Sequence, residues 1–372
     1  MMRIGKFTDF YRDVTKAGTK IPQEKYLKVG HYPVIDQGRQ AIVGRWDSDD
    51  GICKEIPAII FGDHTRAIKY IEEPFFIGAD GVKILRPVNV QDNPKYLYYA
   101  LQAARIPNLG YSRHFKALKE LDFHVCSIEK QDEIVRILEK IDYLIEQCHE
   151  EDSCLNQIVK SRFIELFGNY INEGGKPLSE LATITGGLTK NSKRNTFNLK
   201  MPYLRVANVF FNRLDLNEIL EIGVREDEIG KTLLQTGDLL FVEGNGSIEQ
   251  IGRVALWDGS ISPILHQNHL IKARFHKKTI LPEFALFYFM SQEGRQQIIS
   301  KSVSTSGLNT LSVNKICSLI LPMPPIELQK QFAAFVAQTD KSKYYSQKFL
   351  TLCRLAVNTY EQEWMKCQTL NF

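Results

Sequence analysis

Apolar residues in this chain come first in short runs broken by turn residues, then settle into a long helical period, and the sequence does this twice. Runs such as Tyr32-Pro33-Val34-Ile35, followed by Asp36-Gln37-Gly38, read as strands and turns. Helical spacing appears briefly at Lys95 to Ala104 and again at Glu283 to Ser291. A much longer helical pattern opens near residue 128 and again near residue 326. The first carries Ile134, Ile137, Leu138, Ile141, Leu144, Ile145, Cys148, Leu155, Ile158, Phe163 and Leu166, with no Pro or Gly before Gly168. The second carries Phe332, Phe335, Val336, Phe349, Leu350, Cys353, Val357, Tyr360 and Trp364. Forty helical residues at ~1.5 Å each reach ~60 Å, roughly twice the diameter of a small domain. A stripe that long predicts a partner outside its own domain, and the other stripe is the nearest one, giving an antiparallel pair.

The two passes align as an internal duplication. Ile128-Glu129-Lys130-Gln131 matches Ile326-Glu327-Leu328-Gln329, and at the same offset Leu118 meets Ile316, Phe123 meets Leu321 and Asp142 meets Asp340. Pro94-Lys95-Tyr96 matches Pro282-Glu283-Phe284. Ile59-Ile60-Phe61, then Ile68 and Ile71, meets Leu239-Leu240-Phe241, then Ile248 and Ile251. Phe7-Thr8-Asp9-Phe10 opens one half as Leu178-Ser179-Glu180-Leu181 opens the other. Changing offsets place insertions in loops between shared elements. The expected fold is α+β with two globular domains, each followed by a long helix. The expected limits are 1–127, 128–170, 171–325 and 326–372, with pseudo-twofold symmetry between the halves.

Composition narrows the class without naming a function. The chain has 372 residues, 44% of them hydrophobic, a globular make-up that excludes disorder and collagen-like repeats. No apolar run approaches the ~18 to 20 residues of a membrane span, and no signal peptide opens the chain. The cysteines at 53, 126, 148, 154, 317, 353 and 367 are odd in number and never spaced C-x-x-C, which argues against a thiolate zinc site and fits a reducing cytosol.

A net charge of +4 implies a nucleic-acid partner only if the positive charge is concentrated, and it is. Leu181 to Leu214 holds Lys190, Lys193, Arg194, Lys200, Arg205 and Arg213 without one acid. Asn93 to Lys119 holds Lys95, Arg105, Arg113, Lys116 and Lys119, again without one. A smaller group is Arg295, Lys301 and Lys315. Such windows neutralise phosphates and release counterions, while Asn, Gln, Ser, Thr and Arg on loops read base edges.

Motifs that resemble catalytic ones fall short of them. Asp92-Asn93-Pro94-Lys95-Tyr96 has Lys95 where a methyltransferase N-P-P-Y loop has its second proline, and a helix-opening proline is the better reading. Phe241-Val242-Glu243-Gly244-Asn245-Gly246 is a glycine-rich turn between strands, not an S-adenosylmethionine loop with its following helix. Gly230-Lys231-Thr232 lacks the upstream glycine of a phosphate loop, and His266-x-x-His269 lacks further metal ligands. No catalytic residue and no metal ligand is assigned.

Four motifs in order carry a family resemblance. They are Leu178-Ser179-Glu180-Leu181-Ala182-Thr183-Ile184-Thr185-Gly186-Gly187; Tyr203-Leu204-Arg205-Val206-Ala207-Asn208-Val209; Gly244-Asn245-Gly246-Ser247-Ile248 with His266-Gln267-Asn268; and Leu319-Ile320-Leu321-Pro322-Met323-Pro324-Pro325-Ile326-Glu327-Leu328-Gln329. The first half keeps a diverged copy, and Arg162-Phe163-Ile164-Glu165-Leu166-Phe167-Gly168 is similar to the end of the family's central helix. The chain resembles the specificity subunit of a type I restriction–modification system. Val125-Cys126-Ser127 departs from the prolines usual at the first domain-to-helix junction.

That resemblance implies two target recognition domains, each reading one part of a split sequence in double-stranded DNA, with the paired helices as a coiled-coil spacer. It implies a cytoplasmic, non-catalytic subunit that docks two methyltransferase subunits and restriction (translocase) subunits. The chain itself would hold no cofactor; S-adenosylmethionine, ATP and Mg²⁺ would belong to those partners. A related system cutting on both sides of its site, or a methyltransferase or nuclease in its own right, is the alternative. Loop placement and residue type nominate DNA contacts at Gln37, Arg39, His64, Arg66, Arg113 and His114 in the first half. In the second they nominate Lys190, Lys193, Arg194, Arg205, Asn208, Asn245, Ser247, Gln267, Asn268, Ser306 and Asn309.

Overall fold

The computed structural model describes residues 2–78, 80–276, 279–305 and 307–369, of which residues 305 and 360–369 are described by backbone alone. The chain divides into two units, Met1–Glu150 with Ser346–Phe372, and Glu151–Tyr345. Both mix helix and strand, and both follow the same plan.

In the first unit, Tyr11–Asp13, Val82–Pro87, Ala58–Gly62 and Ile68–Ile71 lie in that order in an antiparallel sheet. A second sheet orders Gly44–Trp46, Tyr32–Ile35 and Phe76–Ile77, with its last pair parallel. The second unit repeats both: Ala182–Gly186, Leu270–Phe275, Leu239–Val242 and Val254–Leu256 in one sheet, and Leu220–Gly223, Lys200–Leu204 and Leu265–His266 in the other, again with a parallel last pair. The duplication in the sequence is thus a duplication of topology. The register corrects one alignment. Phe61 pairs with Ile68 whereas Phe241 pairs with Val254, so the counterpart of Ile68 is Val254 and not Ile248. Ile248 belongs to an insertion in the second unit's hairpin loop.

The strands Ala58–Gly62 and Leu239–Val242 are buried at every position, which is why they read as unbroken apolar runs. Against each four-stranded sheet packs a short helix, Pro94–Ala103 or Pro282–Met290. Proline at the first helical position costs no hydrogen bond, since that N–H has no helical acceptor. The Asn93 side chain accepts from the amides of Lys95 and Tyr96 at 2.9 and 3.2 Å, so Asp92-Asn93-Pro94 is a helix cap.

The long helices are Ile128–Ile171 and Ile326–Thr369. A buried glutamine fastens the start of each. Gln131 accepts from the Asn93 amide at 2.8 Å and donates to the Cys126 carbonyl at 3.0 Å. Gln329 accepts from the Leu281 amide at 2.8 Å and donates to the Pro324 carbonyl at 2.8 Å. Both span the same gap, from the residue before the short helix to the carbonyl five residues back.

Within each unit the two helices run antiparallel. In the second unit Phe163 and Phe167 meet Phe332 at ring-centre distances of 5.4 and 5.5 Å, and Lys343 donates to the Asn156 side chain at 2.7 Å. In the first unit Val357 packs on the cluster that contains Val135 and Leu138. The stripe differs in detail from its expected course. Ile158 is 50% exposed and Phe349 43% exposed. Val159, Phe163 and Phe167 form the buried seam at four-residue spacing, and Ile158 stands about 100° away from it.

Candidate nucleic-acid interface

The sheet register decides which loops meet. In the second unit Gly186 pairs with Ile271, Val242 with Leu270, and Phe241 with Val254. The segments 187–199, 243–253 and 266–269 therefore leave one end of the sheet together. Backbone bonds join them: Leu188 donates to the His266 carbonyl at 2.8 Å, Asn268 to Leu188 at 2.9 Å, and Glu243 to His269 at 2.9 Å. Gly187 makes this approach possible, because a Cβ there would lie 2.1 Å from the His266 carbonyl oxygen. Leu311 donates to the Glu243 carbonyl at 2.7 Å and brings the strand Leu308–Thr310 to the same end.

The first unit is built alike. Gly62 pairs with Val82 and Phe61 with Ile68, so the turn 63–67 and Gly81 share one sheet end. Asp63 donates to the Gly81 carbonyl at 2.7 Å, and His114 donates to Asp63 at 2.8 Å, as Leu311 does to Glu243.

On this frame the nominated side chains divide into surface groups and internal braces. Lys190, Lys193, Ser247 and Arg39 are exposed. Gln267 and Asn268 are half-buried in the 266–269 turn. Arg113 reaches solvent, with its Nε 3.9 Å from Asp63. Arg66 sits at φ +60°, and its guanidinium donates to the Ile106 carbonyl at 3.1 Å. Gln37 accepts from the His64 amide at 3.1 Å, and the His64 ring stands 6.3 Å from Tyr111. Asn245 accepts from the Ser247 amide at 2.9 Å. Arg205 pairs with Glu218 at 2.7 Å. Ser306 lies outside the described residues.

Four of the nominated side chains are buried. His114 is buried, with one ring nitrogen 2.9 Å from the Asp63 carbonyl and the other accepting from Leu109 at 3.1 Å. Arg194 is buried in a two-pronged pair with Glu228, at 3.0 and 2.9 Å, and also donates to the Gly223 carbonyl. Asn208 spends its amide on the Asp215 and Glu218 carbonyls and its oxygen on the Arg205 amide. Asn309 donates to the carbonyls of Asn245 and Gly246. These four shape the loops; they do not face outward. Desolvation explains the choice, since a buried amide or guanidinium must be satisfied within the protein.

The electrostatics agree. The hydrogen bond from Arg194 holds Glu228 down to about 2, against the opposing effect of burial. Burial takes His266 down to about 4 and Lys272 to about 8. Lys272 donates to the carbonyls of Lys231 and Leu233, at 3.0 Å each, beneath the sheet end. His269 pairs with Glu243 at 2.9 Å while His266 faces the interior, so the two histidines do not converge. Among the described residues no three His, Cys, Asp or Glu side chains group to hold a metal, and no helix is long and apolar enough to cross a membrane.

Two groups escaped the sequence reading. Tyr111 is fully exposed beside His64, with only its place in a basic loop to signal it. Arg253 lies outside every basic window.

A duplicated α+β chain, with loops gathered at one sheet end of each unit and paired long helices in both, defines a class of two-unit, loop-presenting proteins. The model of the type I restriction modification DNA specificity domain matches residues 3–154 and 175–348, and the chain belongs to that family. It is 33% identical over 165 residues to the type I restriction enzyme EcoKI specificity subunit of Escherichia coli, covering 43% of this chain and 34% of that protein. It is 30% identical over 163 residues to the putative type I restriction enzyme MjaX specificity subunit of Methanocaldococcus jannaschii, covering 43% of this chain and 37% of that protein. The matched stretches thus span little more than a third of either relative. The crystal structure of the type I restriction–modification S subunit from M. genitalium shares the fold, with a TM-score of 0.60 and 15% identity over 98% of this chain and 96% of that one.

Proposed function

We propose that this chain recognises a split sequence in duplex DNA, each unit reading one part, and directs methyltransferase and restriction subunits to it. The observation that carries this reading is the repeated loop cluster: two units of one topology, each gathering polar and basic loop residues at one sheet end. Readers of base edges are drawn from Lys190, Lys193, Gln267, Asn268, Asn245 and Ser247 in one unit, and from Arg39, Gln37, His64, Arg66 and Arg113 in the other, with Arg205 held ready behind the first group. Apolar side chains left open on the long helices support docking of partner subunits: Ile158 and Ile164 in the second unit, and Phe349, Leu352 and Leu355 in the first. Chemistry then belongs to the partners, which bring S-adenosylmethionine, ATP and Mg²⁺, and the chain acts in the cytoplasm as a non-catalytic guide.

Mapping methylated bases in the host genome, with and without the gene, tests this directly. A split, asymmetric motif should vanish on deletion; loss of a continuous motif, or of none, contradicts the reading. The purified chain alone should transfer no methyl group from S-adenosylmethionine to duplex DNA, and transfer should appear when the methyltransferase subunit is added.

A further inference from the structure

The second unit contains eight arginines, and five of them meet a carboxylate. Arg162 pairs with Glu165, Arg194 with Glu228, Arg205 with Glu218, Arg225 with Asp227 and Arg274 with Asp238. The other three, Arg213, Arg253 and Arg295, have no carboxylate partner among the described residues, and those three stand together. A tight hairpin, Val209–Phe210 with Arg213–Leu214, collects them. The guanidinium of Arg213 lies 4.3 Å from the centre of the Phe210 ring, and that of Arg253 lies 5.2 Å from the same ring. Arg295 lies 5.0 Å from the neighbouring Phe211 ring. Asn212, at the hairpin tip with φ +48°, donates to the Val254 carbonyl at 2.9 Å. That bond sets the hairpin beside the sheet end from which the 243–253 loop leaves.

Internal bonding accounts for part of this group only. Arg295 donates to the carbonyls of Ile251, Gly252 and Glu249 and so braces the loop. Arg253 makes long bonds to Gln250 and the Val206 carbonyl, at 3.4 and 3.3 Å, and its buried Nε has no partner. Arg213 is exposed, and among the described residues its side chain makes no hydrogen bond, only the contact with the Phe210 ring. The nearby acid Glu293 accepts from the Ser291 hydroxyl at 3.1 Å, and Glu249 offers the group its backbone carbonyl. Burial lowers the pKa of both Arg253 and Arg295, with no carboxylate to offset it. Ring faces attract guanidinium groups only weakly, which leaves three like charges gathered without a counter-ion. A tetrahedral anion with several acceptor oxygens matches the free, exposed guanidinium donors of Arg213.

We propose that Arg213, backed by Arg253 and Arg295 on the Phe210–Phe211 hairpin, is a phosphate-binding site that grips the backbone of the duplex beside the second unit's loops. The proposal rests on the DNA-reading function above and adds a contact that positions the duplex without reading its sequence.

The test compares the 372-residue chain with its Arg213→Ala variant, on a duplex carrying the mapped methylation motif and on a scrambled duplex. The Arg213 side chain is exposed and makes no hydrogen bond, so matching thermal melts will verify the fold. Removing it should weaken both duplexes about equally, roughly tenfold at low salt, and lower the slope of log affinity against log salt by about 0.9. Equal affinity and an unchanged slope overturn the site, as does a loss confined to the motif duplex, which marks a base contact. Inorganic phosphate at constant ionic strength should compete modestly better than chloride against the unsubstituted chain and no better than chloride against the variant; the same competition in both overturns the site, and binding of phosphate with no change in duplex affinity on substitution reassigns it to a free anion and overturns the backbone contact. If the unsubstituted chain binds no duplex, the DNA-reading function falls and this site falls with it.

Discussion

Beneath the 189–197 loop, the pair between Arg194 and Glu228 makes the loop's shape depend on pH. A carboxylate held near 2 stabilises the fold above its ordinary pKa, and that contribution drains away as pH falls from about 4.5 to about 2. Glu228→Gln should therefore destabilise the protein at pH 7 by about 3 kcal/mol, because it strands a buried guanidinium, and flatten the acid limb of a stability–pH curve measured by urea unfolding. His266 acts with the same sign in a higher window. Its folded pKa is depressed to about 4, so between pH 6.5 and 4 the unfolded chain takes up a proton that the folded chain refuses. Stability is full above 6.5 and falls as the pH drops, by about 3 kcal/mol at most, and His266→Gln should remove most of that slope. At this scale the sequence reports residue type and neighbours but not burial. Lys190, Lys193 and Arg194 look alike as letters, yet only Arg194 has a glutamate waiting thirty-four positions away.

The duplicated glutamines belong to the scale of elements. Gln131 and Gln329 were visible as a matching pair, but their work was not, because their partners at Asn93 and Leu281 are distant in sequence. Gln329→Ala leaves the Leu281 amide and the Pro324 and Thr279 carbonyls unpaired, and should cost about 2 kcal/mol. Hydrogen exchange at the start of Ile326–Thr369 will read that loosening locally. Long apolar periods announced both helices correctly, since their signal accumulates over forty residues. The hairpin loop misled the alignment at Ile248, since an insertion there carries isoleucines of its own. Nor is the copy atom for atom. Tyr99 donates to Asp142 at 2.6 Å, while the matching place in the second unit holds Phe287, and Asp340 has a raised pKa from burial.

Across the whole molecule, each unit is completed by chain from far away: the first needs residues beyond Ser346, and the second needs the start of the C-terminal helix. Ending the chain after Tyr345 should leave the second unit's melting unchanged and expose apolar surface around Val135, Leu138 and Cys148, which a hydrophobic dye will report. The order of synthesis then matters. The ribosome finishes the body of the first unit early, and its closing segment emerges only after roughly 200 more residues, some 10 to 40 s later at ordinary speeds. For that interval the newborn first unit carries an uncovered greasy flank, so a chaperone or a ready-made helix from another subunit has a head start over the molecule's own tail.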